Sequence, residues 1–284
     1  MAEAVAISAL IPVHAGVAVE HWEAALDSLI AQSMPADEVV VVEDGPVSRA
    51  HRVALDVRAD RLPLVRIALP VNRGAGVANQ AGLLAASGTW VAKVDSDDVS
   101  LPHRFEQQVR ALESTGSDVC GTAMLEFVDD PHHPIALRPA PLSHAQIARR
   151  MRVNNPINHP SSIFRREDAL AAGGYPDLRY MQDYDLFARM LRRGARMMNL
   201  AEPLVLFRAG AAMRGRRSAS DFTRLEWDLQ HRLRDYGIIG TPRMVANLCL
   251  RLAFRRLPEP VMREAYARLL SKPVRSGNHR GDMT

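Results

Sequence analysis

The feature that most constrains this chain is the order of its first hundred residues. Apolar runs of strand length and segments of helical spacing alternate strictly from residue 5 to residue 98. Val5 to Val13 reads as a strand, with Pro12 and the small pair Ala15-Gly16 at its end. In Glu20 to Gln32, Trp22, Leu26, Leu29 and Ile30 share one helical face. Val39 to Val42 is a β-branched run with no polar break, the pattern of a strand buried on both faces. Ser48 to Arg61 is a second helix. Leu64 to Leu69 is a third strand, stopped by Pro70. Val77 to Ala86 is a helix of small residues able to lie close on a sheet, and Gly88 opens a fourth strand. This order implies right-handed crossovers and an α/β fold, a mostly parallel sheet covered by helices. In such sheets ligands bind beyond the carboxyl ends of the strands.

Unusual residues stand at those ends. The fourth strand runs through Trp90-Val91-Ala92-Lys93-Val94 and breaks into Asp95-Ser96-Asp97-Asp98, three carboxylates in four residues. Like charges this close repel, and any of them kept from water needs a compensating partner. A divalent cation is a natural one, because hard cations take oxygen ligands. Asp95 and Asp97 are two apart and in extended geometry point to one side. The plainer alternative is a solvated acidic turn in which Asp98 or Ser100 caps the next helix. Pro12-Val13, Asp44 in the turn Glu43-Asp44-Gly45-Pro46, and Arg73 in Asn72-Arg73-Gly74-Ala75-Gly76 also lie just past strand ends. They all converge on one rim.

The second half is less regular. Pro102 to Glu113 reads as a helix, Asp118 to Val128 as a strand, Ile135 to Arg138 as a short strand and Ser143 to Met151 as a helix. Asn154 to Pro160, polar and with two prolines, is a shaped loop. Ser161 to Phe164 and Leu204 to Phe207 are strands, and Glu167 to Ala172 and Asp183 to Arg193 are helices. Gly210 to Ser220 is a basic loop. Asp221 to Tyr236, Pro242 to Arg256 and Glu259 to Leu270 are helical, and the last ten or so residues are expected to be disordered. With 284 residues, the chain fits one large α/β domain with a helical appendage. We divide it into a main α/β domain over 1–210 (halves 1–100 and 101–210), a loop and helices over 211–272, and a tail over 273–284. A formal charge of +4, carried almost wholly by arginine, gives no reason to expect a nucleic acid. The start lacks a signal peptide and no apolar run is long enough to span a membrane, so a cytoplasmic protein is expected. Cys120 and Cys249 read as reduced thiols.

Taken in order, Ile11-Pro12-Val13, Val42-Glu43-Asp44-Gly45, Asn72-Arg73-Gly74, Asp95-Ser96-Asp97-Asp98, Asn158-His159-Pro160-Ser161 and Gln182-Asp183-Tyr184-Asp185-Leu186 resemble the motif series of family 2 inverting glycosyltransferases with the GT-A fold. Within that family the chain is most similar to enzymes of bacterial surface polysaccharides, the amylovoran type included. The resemblance covers roughly residues 5 to 210. It implies that Pro12 and Val13 lie along the nucleoside of a sugar nucleotide, a UDP-sugar in the first place. Asp44 would bond the base or ribose, and Arg73 would sit beside the base or diphosphate. Asp95 would contact the ribose or the metal shell, Asp97 would bind Mn²⁺ or Mg²⁺, and Asp183 would act as general base. The family usually has a glutamate before that aspartate, where this chain has Gln182. The acceptor expected is a glycan or lipid-linked saccharide, with peripheral contact at the inner face of the membrane.

Each residue also has a plainer reading. Asp183 suits a helix N-cap, and Asp185 a first-turn charge complementing the helix dipole. His159 either ligates the metal or is a hydrogen-bonded loop residue. Arg214, Arg216 and Arg217 either close over a diphosphate or are solvated. The helix from Met244 either lies on an anionic membrane or packs on the catalytic domain, and packing is the expectation. Two rival functions remain in view: a sugar-1-phosphate nucleotidyltransferase, which Pro12-Val13-His14-Ala15-Gly16 argues against for want of a basic glycine-rich loop, and a non-catalytic sugar-nucleotide-binding homologue.

Overall fold

The structure, a computed structural model, describes residues 6–209, 220–255 and 272–273. Strands β1 (Ile7–Val13), β2 (Glu38–Glu43), β3 (Leu64–Ala68) and β4 (Trp90–Lys93) alternate with helices α1 (Val19–Ile30), α2 (Arg49–Asp56) and α3 (Ala75–Ala85). The four strands pair in parallel in the order β3-β2-β1-β4. Their register sets Val13 against Glu43 and Glu43 against Ala68, so their carboxyl ends form one edge.

After β4 come β5 (Val99–Ser100), α4 (Arg104–Thr115), β6 (Val119–Phe127), β7 (Ala136–Arg138), α5 (His144–Met151), a 3₁₀ turn (His159–Ser161), β8 (Ile163–Arg165), α6 (Arg166–Ala171), α7 (Gln182–Arg192) and β9 (Met197–Arg208). Strand β8 lies antiparallel between β4 and β6, and β9 runs parallel to β6 and antiparallel to β5. Helices α8 (Ser220–Asp235) and α9 (Thr241–Arg255) follow, and β10 (Lys272–Pro273) adds to β7 at the edge. Arg214, Arg216, Arg217, the expected helix over Glu259 to Leu270 and most of the expected tail lie outside the described residues.

The valine run of β2 feeds two cores. Val40 and Val42 pack with Leu10, Leu83, Val91, Phe164 and Phe187 on one face. Val39 and Val41 pack with Ile11, Trp22, Leu26 and Phe105 on the other. Period-two alternation makes one short run cement both layers. Leu229, Leu233, Ile239 and Met244 join the first core, so the last helices share it with the sheet.

Three elements differ from their sequence readings. The first, α2, stops at Asp56 rather than Arg61; Ser48 Oγ caps its start, accepting from His51 N–H. Helix α3 starts at Ala75, because Gly74 takes φ +88 and turns the chain into the helix there. Finally, β9 is twelve residues long, its pairing with β6 carried across register shifts near Thr122 to Met124. A bulge lets a strand run through residues whose polar pattern reads as loop.

Candidate active site

The rim is built outward from β1. Asp44 N–H donates to Val13 C=O at 2.8 Å, continuing the β1–β2 ladder one residue past the strand end. The Asp44 carboxylate is buried and accepts from Arg73 N–H at 2.7 Å and Gly74 N–H at 2.9 Å. It thereby ties the turn after β2 to the start of α3, where free N–H groups suit a carboxylate. Gly45 at φ +82 makes this possible, since a Cβ there would stand 2.5 Å from Asn72 N. Arg73 reaches outward to Asp177 at 3.0 Å, and Arg179 donates to Asn72 Oδ1 at 3.0 Å. The segment 176–181 is thus pinned to the turn after β3 and leads from Arg73 to Asp183. Pro12 is half-buried and Val13 buried at the end of β1.

The acids after β4 are a charged cluster with its own buried cations. Lys93, 1 % exposed, donates to Asp95 Oδ1 and, at 2.6 Å, to Val94 C=O. Beneath it lies Arg104, also fully buried, whose guanidinium donates to Lys93 C=O at 2.6 Å and Ser100 Oγ at 2.9 Å. Burial works against the Asp95 charge, but Lys93, His159 and Arg104 more than offset it and hold this carboxyl below the usual range. Asp97 goes the other way, raised by burial and by repulsion from Asp95. Burial, then Asp95 and Asp97, push Asp98 well up. Arg208 brackets the turn: its N–H donates to Asp98 Oδ1 at 2.8 Å and its Nε to Asp97 C=O at 3.1 Å, while its guanidinium lies 4.5 Å over the Phe127 ring. Asp98 Oδ2 is buried without a partner.

An orphaned carboxylate oxygen and acids raised by mutual repulsion are what an oxygen-seeking divalent cation relieves, so the donor set fits Mn²⁺ or Mg²⁺. Among the described residues no group of three or more His, Cys, Asp or Glu side chains is gathered to hold a metal unaided.

The third part is the mouth of α7. Met181 at φ 62 is the one non-glycine residue in the left-handed region among those described. Such a conformation persists only where the surroundings enforce it. Here it breaks the chain direction so that α7 starts at Gln182 with Asp183 second. Asp183 is half-buried, and its Oδ2 accepts from Asn155 Nδ2 at 2.7 Å. Two buried rings, His159 and Tyr175, are joined Nε2 to Oη at 2.9 Å. Both feel the charge of Asp95 and of Asp183. Burial lowers His159 to about 4 against the pull of Asp183, so the ring is neutral at pH 7. Burial likewise raises the Tyr175 phenol well above its ordinary range.

Two of the plainer readings give way. Asp183 is not an N-cap; Met181 holds that position, without a side-chain cap bond. Nor does Asp98 or Ser100 cap α4, whose capping position is His103; their oxygens go to Arg208 N–H and the Arg104 guanidinium. Asp185 does stand in the first turn of α7, and it is fully buried there, held by Arg189 at 2.7 Å and Tyr236 Oη at 2.9 Å. Lys93, Arg104, Tyr175, Asn155 and Arg208 were not foreseen. Lys93 alone left a signal, a cation inside an apolar run directly before three carboxylates.

Known proteins share the sequence pattern and the fold of this chain. The sequence pattern described as "Glycosyl transferase family 2" matches residues 8–174. The amylovoran biosynthesis glycosyltransferase AmsE of Erwinia amylovora is 36 % identical over 251 residues, 87 % of this chain and 92 % of that protein. An Escherichia coli UDP-Gal:α-D-GlcNAc-diphosphoundecaprenol β-1,3-galactosyltransferase is 24 % identical over 249 residues, 87 % of this chain and 90 % of that one. In three dimensions the mannosyltransferase PcManGT of Pyrobaculum calidifontis, solved with GDP-Man and Mn²⁺, superposes with a TM-score of 0.60 at 18 % identity, covering 92 % of this chain and 73 % of that one. This likeness bears out the expected GT-A fold.

Proposed function

The chain belongs to glycosyl transferase family 2 and is a glycosyltransferase; on that premise we propose that it moves a sugar, with inversion and with the help of a divalent cation, from a UDP-sugar to a glycan or lipid-linked saccharide of a bacterial polysaccharide. The observation that carries this reading is the buried ring pair His159–Tyr175, joined at 2.9 Å, both of whose members feel the charge of Asp95 and of Asp183. One cleft then has an acid cluster for the leaving diphosphate and a lone carboxylate for the acceptor. The E. coli relative uses UDP-Gal and a diphosphoundecaprenol acceptor by name, which supports the nucleotide and the lipid-linked acceptor here.

In this reading Asp44 fixes the turn against which the nucleoside lies, beside Pro12 and Val13, and Arg73 faces the base or diphosphate. The acceptor hydroxyl oxygen attacks the anomeric carbon as the bond to the diphosphate oxygen breaks on the opposite face. Asp183 takes the hydroxyl proton. Asn155 holds one Asp183 oxygen, leaving the other to receive it. Asp97 and Asp95 would hold the cation together with diphosphate oxygens; when bound, it supplies charge neutralisation for the leaving group. That PcManGT was solved with GDP-Man and Mn²⁺ supports a divalent cation in this reading. His159, neutral and committed to Tyr175 through Nε2, suits a wall of the cleft better than a metal ligand.

UDP titration calorimetry with and without Mn²⁺, paired with turnover, tests this. Asp183→Asn should bind UDP as wild type while turnover falls at least a hundredfold. Asp97→Ala should lose the Mn²⁺-dependent part of UDP affinity. Wild-type affinity indifferent to a chelator removes the metal, and unchanged turnover in Asp183→Asn removes the base.

A further inference from the structure

A basic cavity lies where α5 and the segments flanking it meet the start of α9. Its volume is about 840 Å³, and Leu142, Arg149, Arg150, Arg152 and Arg243 line it together with none of the candidate site residues. All four arginines are exposed, and none forms an ion pair among the described residues. Four unneutralised guanidinium groups around one hollow are an anion site in charge and in donor geometry.

Helix α9, which carries Arg243, adjoins it; Met244 and Leu248 pack it on the first core, and polar residues share that inward side. Asn247 Nδ2 donates to Arg152 C=O at 2.9 Å and Gln230 Oε1 at 2.8 Å, and Arg251 donates to Glu226 at 2.9 Å and Val153 C=O at 2.8 Å. Its outward face is apolar. Val245 is 50 %, Leu250 63 % and Leu252 43 % exposed, and Ala246, Cys249 and Ala253 stand open between them. A helix face bordered only by water is polar. The sequence expectation that this helix packs on the catalytic domain accounts for one face and leaves the other unexplained.

We propose that the cavity and the outer face of α9 form one docking surface for an anionic phospholipid bilayer. Lipid phosphates enter the arginine hollow while Val245, Leu250 and Leu252 enter the boundary between headgroups and acyl chains. Charge complementarity selects this occupant, since an apolar face alone would suit a second copy equally well, and four free arginines at its edge would not. No helix among the described residues is long and apolar enough to cross a membrane, so the contact is a surface one. The segment after α5 runs from Arg152 to Asn155, which holds Asp183. Docking would therefore bear on the segment that holds Asp183. That consequence rests on the proposed role of Asp183; the docking itself does not.

The test is co-sedimentation of the full chain with acceptor-free vesicles of phosphatidylcholine, alone or with about a third phosphatidylglycerol. Binding should require the anionic lipid and weaken with salt. Each arginine near the surface is worth roughly fivefold in partitioning, so Arg149→Gln, Arg150→Gln, Arg152→Gln and Arg243→Gln together should lower it more than a hundredfold. Val245→Asp with Leu250→Asp should also release the protein. Both variants should bind UDP as wild type does, which separates lost docking from lost folding and from failure of the glycosyltransferase reading. Equal binding to both vesicles, or a quadruple variant that binds like wild type, overturns the proposal. So does a dimer in light scattering that the aspartates break without any vesicle binding, or an arginine hollow that takes inorganic phosphate while vesicles are ignored.

Discussion

His159 shows how much one residue's surroundings decide. A loop histidine between Asn158 and Pro160 is open to several roles on sequence alone. In the fold its ring packs edge-on to Tyr175 and Phe187, and burial brings it to about 4. An unfolded histidine titrates near 6.5. Between those values the unfolded chain takes a proton that the native one refuses, so this residue's contribution is full above about pH 6.5 and is lost as pH falls toward 4. His159→Gln removes that dependence. Urea midpoints at pH 7 and pH 5 should show the wild type losing on the order of 2 kcal/mol more than the variant over this range. Equal losses would mean that the ring is protonated in the native cleft.

Helix α7 carries Asp183 at its mouth and is anchored one turn inward. Asp185 accepts from Arg189 within the helix and from Tyr236 Oη at the end of α8, with the Arg232 guanidinium 3.6 Å away. The Arg189 guanidinium also donates to Ala172 and Gly174 C=O, so a single buried network binds α6, α7 and α8. A hydrogen bond to a buried charge is worth more than one between neutral groups. Tyr236→Phe should therefore cost about 2 kcal/mol by urea denaturation. Turnover should fall less than tenfold, because Met181 and Asn155 still set the Asp183 carboxylate. A larger loss of turnover than of stability would make the network part of the chemistry. The spacing of Leu186, Phe187, Met190 and Leu191 made this helix legible in the sequence. Its anchoring was not, because Tyr236 lies fifty-one residues away.

At the scale of the molecule, the family pattern ends at residue 174 but the core does not. Leu229, Leu233, Ile239 and Met244 are buried in the cluster that holds Leu10 and Val42. A chain ending at Ala209 would leave that face of the core open to water, and exposed apolar area of this kind drives aggregation. Such a chain should be insoluble or lack a cooperative thermal transition. A soluble truncated form that binds UDP would show the helices to be an appendage. The sequence alone determined a mostly parallel sheet and the rim that carries Pro12, Asp44, Arg73, Asp95 and Asp97. Both follow from short-range periodicity and from where each apolar run stops, which are local properties. Tertiary structure decided the rest: that Lys93 and Arg104 lie under the acids, that His159 and Tyr175 feel both Asp95 and Asp183, and that α9 leaves Val245, Leu250 and Leu252 exposed. Those facts depend on which distant side chains share a dry interior, and pairing across long chain separations leaves no periodic trace in the sequence.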